Sequence, residues 1–158
     1  MKFILLTHSR EILKPTNTGQ LIQRAIPDTL TIIWQRKQPD PALLKILSRE
    51  KVALVYPAEQ TAAVTEPVDF DYFILIDSTW QEARKIYNHS PYLQDIPCVQ
   101  ISPTQQSSYR LRRNQREGGL CTAECAIELL RQGGNEAEAE GLESAYQSFV
   151  DGVSPTES

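Results

Sequence analysis

Short apolar runs rich in β-branched residues alternate with stretches of helical periodicity along most of this chain. That alternation constrains the fold more tightly than any single motif. Residues 2–7 (KFILLT), 29–34 (TLTIIW), 51–56 (KVALVY), 71–76 (DYFILI) and 97–101 (PCVQI) read as strands. Residues 18–26 carry Leu21, Ile22, Ala25 and Ile26 at helical spacing, and Pro27 stops them. Asp40 before Pro41 is an N-cap with proline at the first helical position, and Leu43, Leu44, Ile46 and Leu47 then form an apolar face. Residues 81–87 predict a short helix, and 122–131 a helix that Gly133 and Gly134 end. Residues 135–150 predict a last amphipathic helix striped by Leu142, Ala145, Tyr146 and Phe149. Strands separated by helices imply a mostly parallel α/β sheet with helices on both faces.

At 158 residues the chain suits one domain, expected over 1–151, with 152–158 as a frayed tail. No apolar run approaches the roughly 20 residues that span a bilayer. The short apolar start meets polar residues at once and reads as a first strand, not as a signal peptide. Cys98, Cys121 and Cys125 are too few for a disulfide framework and suit a reducing, cytoplasmic setting. As metal ligands, Cys121 and Cys125 need two more groups. His8 and His89 have no ligand-like spacing, so no metal is expected.

The net charge of -4 hides an asymmetry. Residues 135–158 hold six of the 20 acids (Glu136, Glu138, Glu140, Glu143, Asp151 and Glu157) and no Lys or Arg. Residues 1–134 therefore carry 14 acids against 16 bases, a net of +2. Within them Arg110, Arg112, Arg113 and Arg116 fall in seven residues of a polar loop, about 104–120. Four such charges repel one another without an anionic partner, which points to phosphate binding. A solvated loop is the plain alternative.

In open parallel sheets ligands gather at the carboxyl ends of the strands. That directs attention to residues from Pro57, Asp77 and Ser102 onward. Asp77 directly follows FILI, so its carboxylate lies between a dry interior and the pocket. It also serves well as an N-cap for the next helix. If Thr79 caps that helix, with Glu82 completing a capping box, Asp77 is released for chemistry. Trp80 reads as a core residue, although aromatic faces also stack on bases. Arg84 and Lys85 fit a solvated helix face. Thr16, Asn17, Thr18 and Gly19 read as a plain cap of the first helix.

These residues together resemble the DTW-domain family. The match consists of Asp77-x-Thr79-Trp80 after an apolar strand, then Ala83-Arg84-Lys85, Tyr109 to Arg112, and Thr122-x-Glu124. Thr16 to Gly19 and Tyr56-Pro57 complete it in order, over roughly residues 3–132. The resemblance implies a relative of the SPOUT superfamily with a C-terminal trefoil knot, a feature no periodicity argument reaches. It implies transfer of the 3-amino-3-carboxypropyl group of S-adenosylmethionine to N3 of a tRNA uridine, with release of 5′-methylthioadenosine. Asp77 is then the general base for the weakly acidic N3 imide. Tyr56, Pro57, Ser78, Thr79, Ser102, Leu111, Leu120 and Thr122 would hold the cofactor. Arg84, Lys85, Arg110, Arg112, Arg113 and Arg116 would meet tRNA. One departure stands out: many members carry an N-terminal cysteine cluster expected to bind zinc, and this sequence starts at the first strand. Two other classes are a SPOUT-type RNA methyltransferase and a non-catalytic RNA-binding domain. The body charge of +2 argues against the second. Neither the uridine position nor the oligomeric state is written in the sequence.

Overall fold

A computed structural model describes residues 1–9, 18–36, 38–55, 70–78, 80–99 and 122–152, with only the backbone of Trp80. Among these residues five strands, β1 (Lys2–Thr7), β2 (Leu30–Ile33), β3 (Val52–Val55), β4 (Tyr72–Asp77) and β5 (Cys98–Val99), form one sheet in the order β2-β1-β4-β3-β5. Every pairing is parallel. Between and after the strands lie α1 (Gly19–Ala25), α2 (Pro41–Arg49), α3 (Trp80–Asn88), α4 (Pro91–Gln94), α5 (Thr122–Gln132) and α6 (Glu136–Gly152).

Strand side chains alternate between the two faces, and each face buries its own core. On one face Phe3, Leu5, Ala53, Phe73, Leu75 and Val99 pack under α1, α5 and α6. On the other Ile4, Leu6, Ile32, Leu54 and Ile74 pack under α2, α3 and α4. The expected parallel α/β sheet with helices on both faces is therefore the fold. The division of helices follows from one hand of crossover. The connection from β1 runs toward β2 and carries α1 on the first face. The connections from β2 to β3 and from β4 to β5 run the opposite way and carry α2, α3 and α4 on the second.

Local signals placed the helix ends well. Asp40 caps α2, accepting from the backbone N–H of Ala42 at 2.8 Å and of Leu43 at 3.3 Å. α5 ends in a Schellman turn: Gly134 adopts φ +83°, its N–H donates to Arg131 O, and Asn135 N–H donates to Leu130 O. Three details differ from expectation. Asp77 is the last residue of β4 and not the first beyond it. The four-residue α4 has only Pro91 as a local sign, too short a helix for periodicity to reveal. α6 runs through Gly152, two residues past the expected end near Val150.

Candidate functional site

The order β2-β1-β4-β3-β5 creates a switch point between β1 and β4. Chain leaving β1 turns toward β2, while chain leaving β4 turns toward β5. A crevice at the carboxyl ends of the strands opens where such connections diverge. Thr7 and Asp77, the last residues of β1 and β4, are register partners at that point.

Asp77 is 1% exposed and Thr7 fully buried. The Asp77 carboxylate accepts from the Thr122 hydroxyl at 2.9 Å and, more weakly, from the Thr7 hydroxyl at 3.4 Å. Burying a carboxylate is costly unless hydrogen bonds replace its water, and these two hydroxyls do so. Thr122 opens α5, whose N-terminal end favours negative charge. Ala123, the next residue, donates its N–H to Thr18 Oγ1 at 3.2 Å. The N-termini of α1 and α5 and the ends of β1 and β4 thus meet around one carboxylate. Thr18 corrects the plain-cap expectation: it sits at the N-cap of α1, where its carbonyl accepts from Leu21 N–H, but its hydroxyl serves the start of α5 in place of a side-chain cap.

A second polar cluster lies on the opposite face. His8 follows Thr7, and its N–H donates to the Asp77 carbonyl at 3.4 Å. Its Nδ1 stands 3.7 Å from Glu82 Oε2 in the first turn of α3. The imidazole stacks against Trp34, with centroids 6.3 Å apart and planes at 28°. Trp34 extends the β1–β2 pairing through its N–H to Thr7 O at 2.9 Å. Its indole N–H donates to the buried Ser90 hydroxyl at 2.8 Å. Beside it, burial raises the pKa of the Tyr92 phenol, and a side-chain hydrogen bond with Ser90 works against that rise. Arg36 Nη2 lies 3.5 Å from His89 Nε2 at the outer rim.

Of the residues expected at the site, Asp77 and Thr122 are brought into contact and Ser78 is half-buried beside them. Arg84 and Lys85 are exposed on α3. Tyr56, Pro57, Thr79, Ser102, Leu111, Leu120, Arg110, Arg112, Arg113 and Arg116 lie outside the described residues, as does the Trp80 side chain. Cys121 is outside them too. Among the described residues no three His, Cys, Asp or Glu side chains gather as a metal-ligand set, and no helix is long and apolar enough to cross a membrane. Sequence reasoning missed Thr7, His8, Trp34 and Glu82 as a group. The strand-end rule that drew attention to Asp77 applies equally to Thr7, but only the strand order makes the two neighbours.

A family model described as the DTW domain matches residues 1–154. A tRNA-uridine aminocarboxypropyltransferase 2 of Drosophila melanogaster is 28% identical over 138 residues, covering 82% of this chain and 55% of that protein. A tRNA-uridine aminocarboxypropyltransferase 2 of Macaca fascicularis is 26% identical over 135 residues, covering 80% of this chain and 45% of its own length. The chain spans about half the length of these curated relatives. No solved structure matches it.

Proposed function

The chain belongs to the DTW-domain family, and on that premise we propose that it transfers the 3-amino-3-carboxypropyl group of S-adenosylmethionine to N3 of a tRNA uridine. The observation that carries the reading is the buried Asp77 carboxylate at the β1–β4 switch point, held by Thr7 and Thr122. The two relatives named as tRNA-uridine aminocarboxypropyltransferases support the choice of reaction.

A carboxylate bound by hydroxyls fits beside a cationic sulfonium, since opposite charge offsets the desolvation of both. When bound, that donor supplies an activated carbon with its leaving group attached. The residues of the chain orient the acceptor and handle the proton. The N3–carbon bond forms as the carbon–sulfur bond breaks. The electron pair stays on sulfur, giving neutral 5′-methylthioadenosine. The N3 proton passes to Asp77. Ser78 and Thr122, with Tyr56, Pro57, Thr79, Ser102, Leu111 and Leu120, are the proposed donor-binding residues. Arg84 and Lys85, with Arg110, Arg112, Arg113 and Arg116, are the proposed tRNA contacts. The trefoil knot belongs to the same proposal.

Mass spectrometry of nucleosides from tRNA incubated with the protein and S-adenosylmethionine tests the reading. Aminocarboxypropyl-uridine with methylthioadenosine is the expected result. S-adenosylhomocysteine in its place would make the chain a methyltransferase. RNA binding without either product would make it a non-catalytic binder.

A further inference from the structure

We propose that His8 and Trp34, with Glu82 positioning His8, form a nucleobase-binding subsite for a pyrimidine of unpaired or flipped-out RNA. The inference rests on the reading of the strand ends as the transfer site, and it names where the acceptor base is held.

Successive residues of an extended strand direct their side chains to opposite faces. Thr7 turns to the Asp77 carboxylate, and His8 turns to Glu82 and Trp34. One strand end thus separates two polar clusters on opposite faces of the sheet. The Asp77 side gathers the hydroxyls of Thr7 and Thr122 and the helix starts of α1 and α5, and it is almost fully buried. The His8 side differs in chemistry: an indole, an imidazole and a carboxylate, each partly exposed.

Trp34 is held at two points, by its backbone N–H on Thr7 and its indole N–H on the buried Ser90 hydroxyl. An aromatic ring fixed in this way loses little entropy when a base stacks on it, and such stacking tolerates any base with a π-face. His8 stacks against the indole with its ring inclined 28°. Its side chain is 20% exposed and that of Glu82 15% exposed, so solvent reaches both. The 3.7 Å between Nδ1 and Oε2 is longer than a direct hydrogen bond and close enough for the carboxylate to orient the imidazole. An imidazole oriented by Glu82 can also hydrogen-bond to the polar edge of a base. Around the rim, Arg36 and Lys85 are exposed and supply cations for the flanking phosphates. In a chain of net charge -4, a rim of this sign matters locally.

The test separates base contact from charge. Anisotropy of labelled short oligo(U) RNA is compared with an abasic RNA of the same length, at about 0.15 M salt. Wild type is expected to prefer oligo(U) by roughly tenfold. His8→Ala and Trp34→Leu should remove most of that preference while leaving abasic affinity within about twofold, and Glu82→Gln should weaken it less. Thermal melts identify any variant that fails to fold, and His8→Ala, at a partly exposed side chain, carries the test if Trp34→Leu does fail. S-adenosylmethionine affinity, measured by calorimetry, should not change in His8→Ala. A preference that survives His8→Ala overturns the subsite. So does an equal loss of S-adenosylmethionine affinity, which would assign His8 to the donor side. A His8-dependent preference in a protein that forms no aminocarboxypropyl-uridine would retain the subsite and discard the proposed reaction.

Discussion

Thr122 donates its hydroxyl to Asp77 Oδ1 at 2.9 Å across 45 residues of sequence, fastening the first turn of α5 to the end of β4. Thr7 reaches the other carboxylate oxygen across 70 residues. The carboxylate is therefore both the joint of three elements and the proposed proton acceptor. Those two roles respond differently to substitution.

Thr122→Val keeps the branched shape and removes the donor. Thr122 is only 7% exposed, so water replaces the hydroxyl poorly. The loss should cost about 1–3 kcal/mol, the range for a buried acceptor deprived of its partner. Urea denaturation should show a lower midpoint at unchanged slope, and Thr122→Ser should recover most of it. A midpoint unmoved by Thr122→Val would mean that the bond contributes nothing to stability.

Asp77→Asn tests the chemical role with little disturbance of the joint. An amide has the same outline, and threonine hydroxyls can accept from its NH2 while donating to its oxygen. Stability should stay within about 1.5 kcal/mol of wild type, the size of one ordinary hydrogen bond. Transfer should fall by roughly a hundredfold or more, as expected when a general base is removed. Asp77→Ala should lose both. If Asp77→Asn turns over near the wild-type rate in the nucleoside assay, Asp77 serves only as the joint.

Much of this architecture is written locally. Asp40 with Pro41 marks the start of α2, Gly134 marks the end of α5, and FILI marks β4 as a buried strand. The position of Asp77 at a strand end is legible for the same reason. Its partners are not. Thr7 looks like any polar residue ending a strand until the order β2-β1-β4-β3-β5 sets it beside Asp77. Thr18 reads as a cap because Thr before Gly and a helix does so commonly, and nothing local says that it will serve α5 instead. His8 and Glu82 are 74 positions apart and meet only because the β1 and β4 ends adjoin. Pairing order is a property of the whole sheet, so a local pattern cannot carry it.

The two glycines after α5 should behave unequally. Gly134 holds φ +83°, a conformation that costs an L-residue about 1–2 kcal/mol, although a Cβ there would meet nothing within 4 Å. Gly134→Ala should lower stability by that amount through backbone strain alone. At Gly133 a Cβ would come within 2.6 Å of Met1 Cε, the far end of a flexible side chain. Gly133→Ala should therefore cost less than Gly134→Ala. Paired thermal melts decide the order, and a larger loss at Gly133 would mean that Met1, or the Leu129 carbonyl 3.3 Å from that Cβ, cannot move aside.

Arg84 and Lys85 project from the exposed side of α3, one and two residues past the buried Ala83. Charge contacts to phosphate and contacts to a base are separable by salt. Each phosphate contact on single-stranded RNA adds about 0.7 to the slope of log affinity against log salt. Arg84→Gln with Lys85→Gln should lower that slope by about 1.4 if both side chains meet phosphates. The preference for oligo(U) over abasic RNA should stay as in wild type, because neither residue belongs to the His8–Trp34 platform. Both substitutions lie on exposed positions, so folding stability should change by less than about 0.5 kcal/mol. An unchanged slope would remove the two residues from the RNA-contacting surface and leave α3 to contribute Glu82 alone.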